Sequence, residues 1–195
     1  MNPAARPVVY ACLPHPRVEQ GGYWVETVQP GDIQAIRAWR NAQLDILRQP
    51  APISPEQQEA YFAAHIWPTV DAAQPANILL SLHEAERLVG YGGLVHIAWE
   101  HQRAEISFLL DPQAAVPVET YARHFTAFLG LMKLLAFSEL GFERLFTETY
   151  ALRTDHIAVL EAVGFRREGV LRRHVRINGR GVDALIHGCL KNDAT

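Results

Sequence analysis

Lysine is almost missing from this chain. Lys133 and Lys191 stand against 16 arginines, and the 18 basic residues are outnumbered by 21 acids, for a net charge of −3. That balance carries no electrostatic footprint for nucleic acid. Arginine suits sites that grip a carboxylate or phosphate with a planar fork, although a GC-rich genome produces the same bias. Cysteine is nearly absent too: Cys12 and Cys189 have no metal-type spacing, which excludes a disulfide scaffold and fits a reducing cytoplasm. Neither has the look of a nucleophile. No apolar run approaches the ~20 residues needed to cross a bilayer, so no membrane association is expected. The longest run, Ala127–Ala136, is broken by Gly130 and Lys133. Val8–Leu13 is too short for a secretory core, which needs about 7–15 apolar residues behind a basic start. The histidines form no HxH, HxxxH or HExxH pair, so no metal is expected.

What is present is ordinary globular material: 195 residues, 49% apolar and 20% charged, enough for one domain. Residues 1–22, with four prolines and then Gly21-Gly22, suggest a loosely attached arm, and 192–195 a tail. Tyr23–Val28 alternates as a strand. Asp32 is placed to cap a helix carrying Ile33, Ile36, Arg37, Trp39 and Arg40. Ser54-Pro55-Glu56-Gln57 has the form of a capping box opening a helix that Pro68 stops after Trp67. Asn77–His83, Arg87–Trp99 and Arg103–Leu110 read as strands joined by short turns, hence antiparallel. Gly90, Gly92 and Gly93 suggest a bulge or bend. Glu119–Leu140 has helical periodicity and ends at Gly141. Glu143–Tyr150 is a strand. Asp155–Val163 is a short helix capped at Thr154-Asp155 and closed by Gly164. Phe165–Ile177 and Gly181–Leu190 form a hairpin around Asn178-Gly179. The order predicts one α+β domain over 23–191: a mixed, mostly antiparallel sheet of about six to seven strands flanked by four helices.

This order resembles the GNAT acetyltransferase fold from Tyr23 to Lys191. Arg103–Pro112 resembles the family's splayed central strand, and Ala136–Leu145 its central helix-to-strand junction. Ile157–Gly169 resembles the run found in ribosomal-protein N-terminal and amino-sugar acetyltransferases. Trp39-Arg40-Asn41 with Ile53–Gln57, and Gly169–Val175 with Asn178–Asp183, resemble enzymes acting on nucleotide-linked amino sugars. There are departures. The stretch before the long helix, Ala114–Arg123, lacks the family's glycines. Arg153 stands where an asparagine is frequent, and Leu160 where a tyrosine often serves as acid.

The resemblance implies acetyl-CoA as co-substrate, with pantetheine pairing along Phe108, Leu109 and Leu110 and pyrophosphate at the helix start Glu119, Thr120 and Tyr121. Amine acetylation needs a base, a donor for the thioester oxygen and stabilisation of the leaving thiolate. Glu105, amid apolar residues on the central strand, is the best base, where burial would raise its pKa. The competing reading pairs it structurally with Arg103. Glu148 and Tyr150 share one face of the next strand and reach the same cleft, or are strand-end polar groups. The resemblance sets Arg153 and His156 against CoA, as phosphate ligand and thiol acid, with a surface or capping role as the alternative. It also puts Trp39, Arg40, Asn41, Trp99, Glu100 and His101 at the acceptor mouth. Arg166–Arg180 holds six arginines around Glu168, either a solvated strand face or a grip on a diphosphate. The function expected is a cytoplasmic N-acetyltransferase acting on a small-molecule primary amine, the favoured acceptor being a nucleotide-linked amino sugar for surface polysaccharide. A protein N-terminal α-amine is the runner-up, a non-catalytic acyl-CoA-binding domain the third reading, and a homodimer is left open.

Overall fold

A computed structural model describes residues 7–47 and 49–193. Two short antiparallel strands open it, β1 (Arg17–Gln20) and β2 (Tyr23–Thr27). They join at Gly21 and Gly22, both at positive φ, which glycine alone adopts without strain. Of the described residues before Tyr23, Tyr10 and Val18 are buried and β1 joins the sheet, so this stretch packs on the domain where a loose arm was expected. Tyr10 is 1% exposed; its amide donates to Thr27 Oγ1, and its hydroxyl accepts from the Leu79 amide. Trp24 stacks on His83 at 3.8 Å under the Arg17 guanidinium.

The helix α1 (Ile33–Asn41) buries Ile33 and Ile36. Asp32 occupies its N-cap but does not cap it with the side chain. Its carboxylate instead accepts from the Gln29 amide at 3.0 Å and Ser81 Oγ at 2.6 Å, which fixes the helix to the sheet. The capping box at α2 (Pro55–Tyr61) forms as expected, Gln57 N to Ser54 Oγ and Ser54 N to Gln57 Oε1. The chain then continues as a π turn over Phe62–Ile66 and a 3-10 turn over Trp67–Thr69.

Three antiparallel strands follow, β3 (Ile78–Glu84), β4 (Arg87–Ala98) and β5 (Arg103–Leu110). The long helix α3 (Val118–Lys133) runs on through a π segment to Glu139. Next come β6 (Arg144–Tyr150), α4 (Thr154–Ala162), and the hairpin β7 (Arg166–Ile177) and β8 (Arg180–Leu190). The cap residue of α4 is Arg153, one position before the expected Thr154, and makes no side-chain cap bond. Asn178 and Gly179 turn the hairpin at φ 49° and 76°.

Among the described residues the sheet has eight strands in the order β1-β2-β3-β4-β5-β6-β8-β7. The strand beyond the expected six to seven is β1. Every neighbour is antiparallel except β5 and β6. Alternation along β5 sends Ala104, Ile106, Phe108 and Leu110 into the core beneath α3 and α4, and Leu109 into the core beneath α1 and α2. Phe108 is seated between Phe125 and Phe128 of α3, each ring centroid at 4.6 Å.

The glycines of β4 mark close approach. A methyl at Gly92 would collide with the Ser107 carbonyl oxygen and the Phe128 ring. Gly92→Ala is expected to cost about 1–3 kcal/mol by overpacking. Gly31, with nothing within 4 Å of its added carbon, serves as control. Gly31→Ala should stay within about 0.5 kcal/mol of wild type. Urea denaturation checks both, and equal midpoints would show that β4 yields to make room.

Candidate active site

The parallel pairing of β5 with β6 covers only Arg103–Glu105 against Arg144–Phe146. Past Glu105 the strands part and open a cleft of about 450 Å³. Glu105, the last paired residue of β5, thus stands at its apex.

The wall on the α1/α2 side holds Glu105, Glu148, Tyr91, Tyr150, Arg40 and His96. Glu105 is 9% exposed, and its Oε2 lies 2.8 Å from Nδ1 of His96. A register shift between Val95 and Ala98 puts His96 there, at φ 49°. Glu148 Oε1 lies 3.4 Å from Nε2 of His174 on β7. Arg40 donates through Nε to Gln49 at 2.9 Å. Tyr91 is buried, and desolvation pushes its hydroxyl up to about 12, so it stays a neutral hydrogen-bonding group. A second hollow, lined by Gln49, Val175, Arg176 and Asn178, shares Leu47 and Tyr150 with the cleft.

The α3/α4 wall holds Phe108, Thr147, Thr149, Arg153 and His156. His156 is 7% exposed, and its ring stacks on Phe125 at 4.0 Å. Its Nδ1 is 2.6 Å from the Tyr121 hydroxyl, which also accepts from Arg153 Nη2 at 3.3 Å. Burial, then the nearby charges of Arg153 and His187, hold the His156 pKa well below its usual 6.5. The ring is therefore neutral. Burial also pushes the Tyr121 hydroxyl upward. Thr147 and Thr149 are buried, and among the described residues their hydroxyls have no hydrogen-bond partner. Buried hydroxyls left unpaired are costly.

At the start of α3, the amides of Thr120 and Tyr121 donate to the Pro117 carbonyl at 2.9 and 3.2 Å. The first-turn amides that the helix does not itself use are those of Val118 and Glu119. Pro117 provides no side-chain cap, which leaves that end open to an anion. Glu119 is exposed.

Several sequence candidates fall elsewhere. Trp39 packs against the α1/α2 core. Asn41 bonds both backbone groups of Ile53 and the Gln49 amide, so it staples a loop. Trp99 donates to the Pro75 carbonyl and meets Phe142 edge-on. Glu100 pairs with His101 in an exposed turn. Leu109 is core, and the Leu110 carbonyl accepts from Gln43. Of that stretch of β5, Phe108 lines the cleft. None of Trp39, Asn41, Trp99 or Glu100 lines it. Residues missed in the sequence are His96, Thr147, Thr149, Tyr91 and His174. For His96 the hairpin arithmetic offered a clue. A tight turn at 100–102 brings residues near 96 opposite Glu105, as the Val95–Glu105 pair shows. Among the described residues no three His, Cys, Asp or Glu side chains gather as a metal site, and no helix is long and apolar enough to cross a membrane.

A family model described as acetyltransferase (GNAT) domain matches residues 25–186. No curated protein matches the chain. Among solved structures it is similar to the spermidine N-acetyltransferase from Vibrio cholerae in complex with CoA and spermine. That match is 18% identical with a TM-score of 0.79, covering 90% of this chain and 99% of that one. A chimeric form of the Vibrio cholerae spermidine N-acetyltransferase matches at 19% identity and TM-score 0.77, covering 89% and 98%. Mutant forms of the spermidine/spermine N-acetyltransferase from the same organism match at 20% identity and TM-score 0.75, covering 90% and 97%. At these identities the likeness is one of fold.

Burial lowers the pKa of His83, His124 and His156 alike. As pH falls, the unfolded chain takes up these protons first, so their contribution is complete above about pH 6.5 and is lost below it. Melting temperature should therefore fall as pH is lowered through about 6.5, less steeply in His156→Gln. A wild-type melting temperature that is flat or rises over that range contradicts the assignment.

Proposed function

Because the chain belongs to the acetyltransferase (GNAT) domain family, we propose that it transfers acetyl within the β5–β6 cleft, with Glu105 as base. The chain is an acetyl-CoA-dependent N-acetyltransferase acting on an amine. The single observation behind this siting is the parting of β5 from β6 directly after Glu105. The parted strands expose backbone groups to the cleft, and a thioester arm laid between them pairs as a missing strand would. Thr147 and Thr149 then meet its amides, and the open end of α3 meets its phosphates. An N–H of the parted strand near Phe108 is suited to the thioester oxygen, which gains charge in the transition state.

The amine approaches from the α1/α2 side. Glu105 takes its proton, with His96 holding the carboxylate. The acceptor best supported is a small cationic amine, because Glu105 and Glu148 line that side together with the aromatic side chains of Tyr91 and Tyr150. The likeness to a spermidine N-acetyltransferase is a likeness of fold, so the acceptor class rests on these carboxylates. A second reading, the nucleotide-linked amino sugar, draws on Arg40 in the cleft and Arg176 in the adjoining hollow as diphosphate ligands. No observation favours a protein α-amine or a domain without catalysis. Use of acetyl-CoA and two free cysteines support a cytoplasmic setting.

Glu105→Gln should lower kcat by about 10²- to 10⁴-fold while acetyl-CoA binding, measured by calorimetry, holds. Wild-type turnover in this variant would make Glu105 structural. The acceptor readings part on electrostatics. For a polyamine, Glu148→Gln should raise KM and Arg40→Ala leave it unchanged. For a nucleotide-linked amino sugar, Arg40→Ala should raise KM about 10-fold or more. Steady-state kinetics on both acceptors decide, and no change in either variant removes both residues from the acceptor site.

A further inference from the structure

Acetyl transfer breaks a C–S bond, and the sulfur departs with negative charge into a cleft whose α3/α4 wall is largely buried. A hydrogen-bond donor aimed at that sulfur lowers the barrier. Leu160, where the resemblance looks for a tyrosine acid, is 0% exposed and offers no donor. The same wall carries a different set of groups, joined across α3 and α4.

We propose that His156 donates a hydrogen bond from Nε2 to the departing sulfur, and that Tyr121 and Arg153 are positioning residues that hold its proton there. The groups present set the direction of each bond, because among the described residues the phenol proton of Tyr121 has no acceptor but Nδ1 of His156. The guanidinium of Arg153 can only donate, so the Tyr121 oxygen accepts from it. The phenol proton of Tyr121 then turns to Nδ1 of His156 at 2.6 Å, and Nδ1 accepts. A neutral imidazole accepting at Nδ1 carries its hydrogen on Nε2. His156 lines the cleft, and Nε2 has no partner among the described residues. Stacking on Phe125 at 4.0 Å fixes the plane of the ring. The charged and titratable groups around the pair are Arg153, Asp155 and His187. Burial and the Arg153 charge keep the imidazole neutral, as this arrangement requires.

This inference rests on the transferase reading above. In the step itself the amine nitrogen forms the C–N bond and the C–S bond breaks. The proton lost by nitrogen goes to Glu105 and on to water. The sulfur leaves as a thiolate held by Nε2–H and takes a proton from water on release. One proton leaves nitrogen and one ends on sulfur; His156 is unchanged, acting by hydrogen bond rather than by proton loss.

The test compares the full-length wild type, His156→Gln and Tyr121→Phe. Binding of CoA and of desulfo-CoA is measured by calorimetry, and the pKa of the bound CoA thiol by ultraviolet thiolate absorbance. Wild type should hold the bound thiol below the pKa of free CoA. His156→Gln should raise it by about one unit or more, corresponding to loss of a charge-assisted hydrogen bond. Tyr121→Phe, which frees the ring to shift its proton to Nδ1, should raise it by less. Both variants should lose kcat about 10-fold or more for His156→Gln, with the KM for acetyl-CoA nearly constant. Melting curves show whether each variant is folded. If both nucleotides bind wild type and the bound thiol titrates alike in all three proteins, the assignment of His156 is overturned and the transferase reading stands. If wild type binds neither CoA nor desulfo-CoA, the transferase reading falls and this inference with it.

Discussion

One junction decides what this sheet can do. The strands β5 and β6 lie side by side in the middle of an eight-stranded sheet, the single parallel contact in it, and they pair over three residues before separating. Elsewhere in the sheet neighbouring strands pair along most of their length, broken only by local register shifts. Here two central edges open onto a cavity. Unpaired backbone groups inside a protein are costly, roughly 1–3 kcal/mol each, so such an opening persists only where water or a ligand completes it. Central strands are also the best-anchored part of a sheet. The cleft is thus both unsatisfied and rigid, which is what a site for an extended ligand requires.

The two faces of the sheet give the cleft its two chemistries. Beneath α3 and α4, Phe128, Phe108 and Phe125 stack in series, and Phe125 lies flat against His156. An imidazole continues an aromatic core at that point. The packing that stabilises α3 on the sheet also orients His156 and dries its surroundings. Beneath α1 and α2 the cleft wall carries charge. Two glutamates on neighbouring strands, Glu105 and Glu148, each have a histidine within 3.4 Å, supplied by β4 and β7. Alternation alone separates these environments, because consecutive residues of β6 face opposite ways: Thr147 and Thr149 to the aromatic side, Glu148 and Tyr150 to the acidic one.

Loop and cap details serve the same end. Asp32 gives up a capping bond to hold Ser81, and Asn41 and Gln49 bind the chain between α1 and α2, with Arg40 drawn in through Gln49. Asn41, which the resemblance sets at the acceptor mouth, thus fastens the loop behind the acceptor wall.

The sequence by itself determined the elements: period-2 and helical spacing marked every strand from Tyr23 onward and all four helices. The capping box at Ser54, the Asn178-Gly179 turn and the closing glycines Gly141 and Gly164 were equally legible. Each depends on residues within a few positions of one another, whose preferences follow from local sterics and hydrogen bonding. Glu105 was identifiable by residue type and element, and His156, Arg153 and Arg40 through the family resemblance; all four line the cleft. The tertiary structure decided which side chains meet. The bond of Tyr121 to His156 spans 35 residues, and that of His96 to Glu105 depends on a register shift in β4. Thr147 and Thr149 became notable only as buried hydroxyls without partners. Such contacts are set by where a bulge falls and where two strands part, and those positions depend on the packing of the whole sheet rather than on neighbours in sequence.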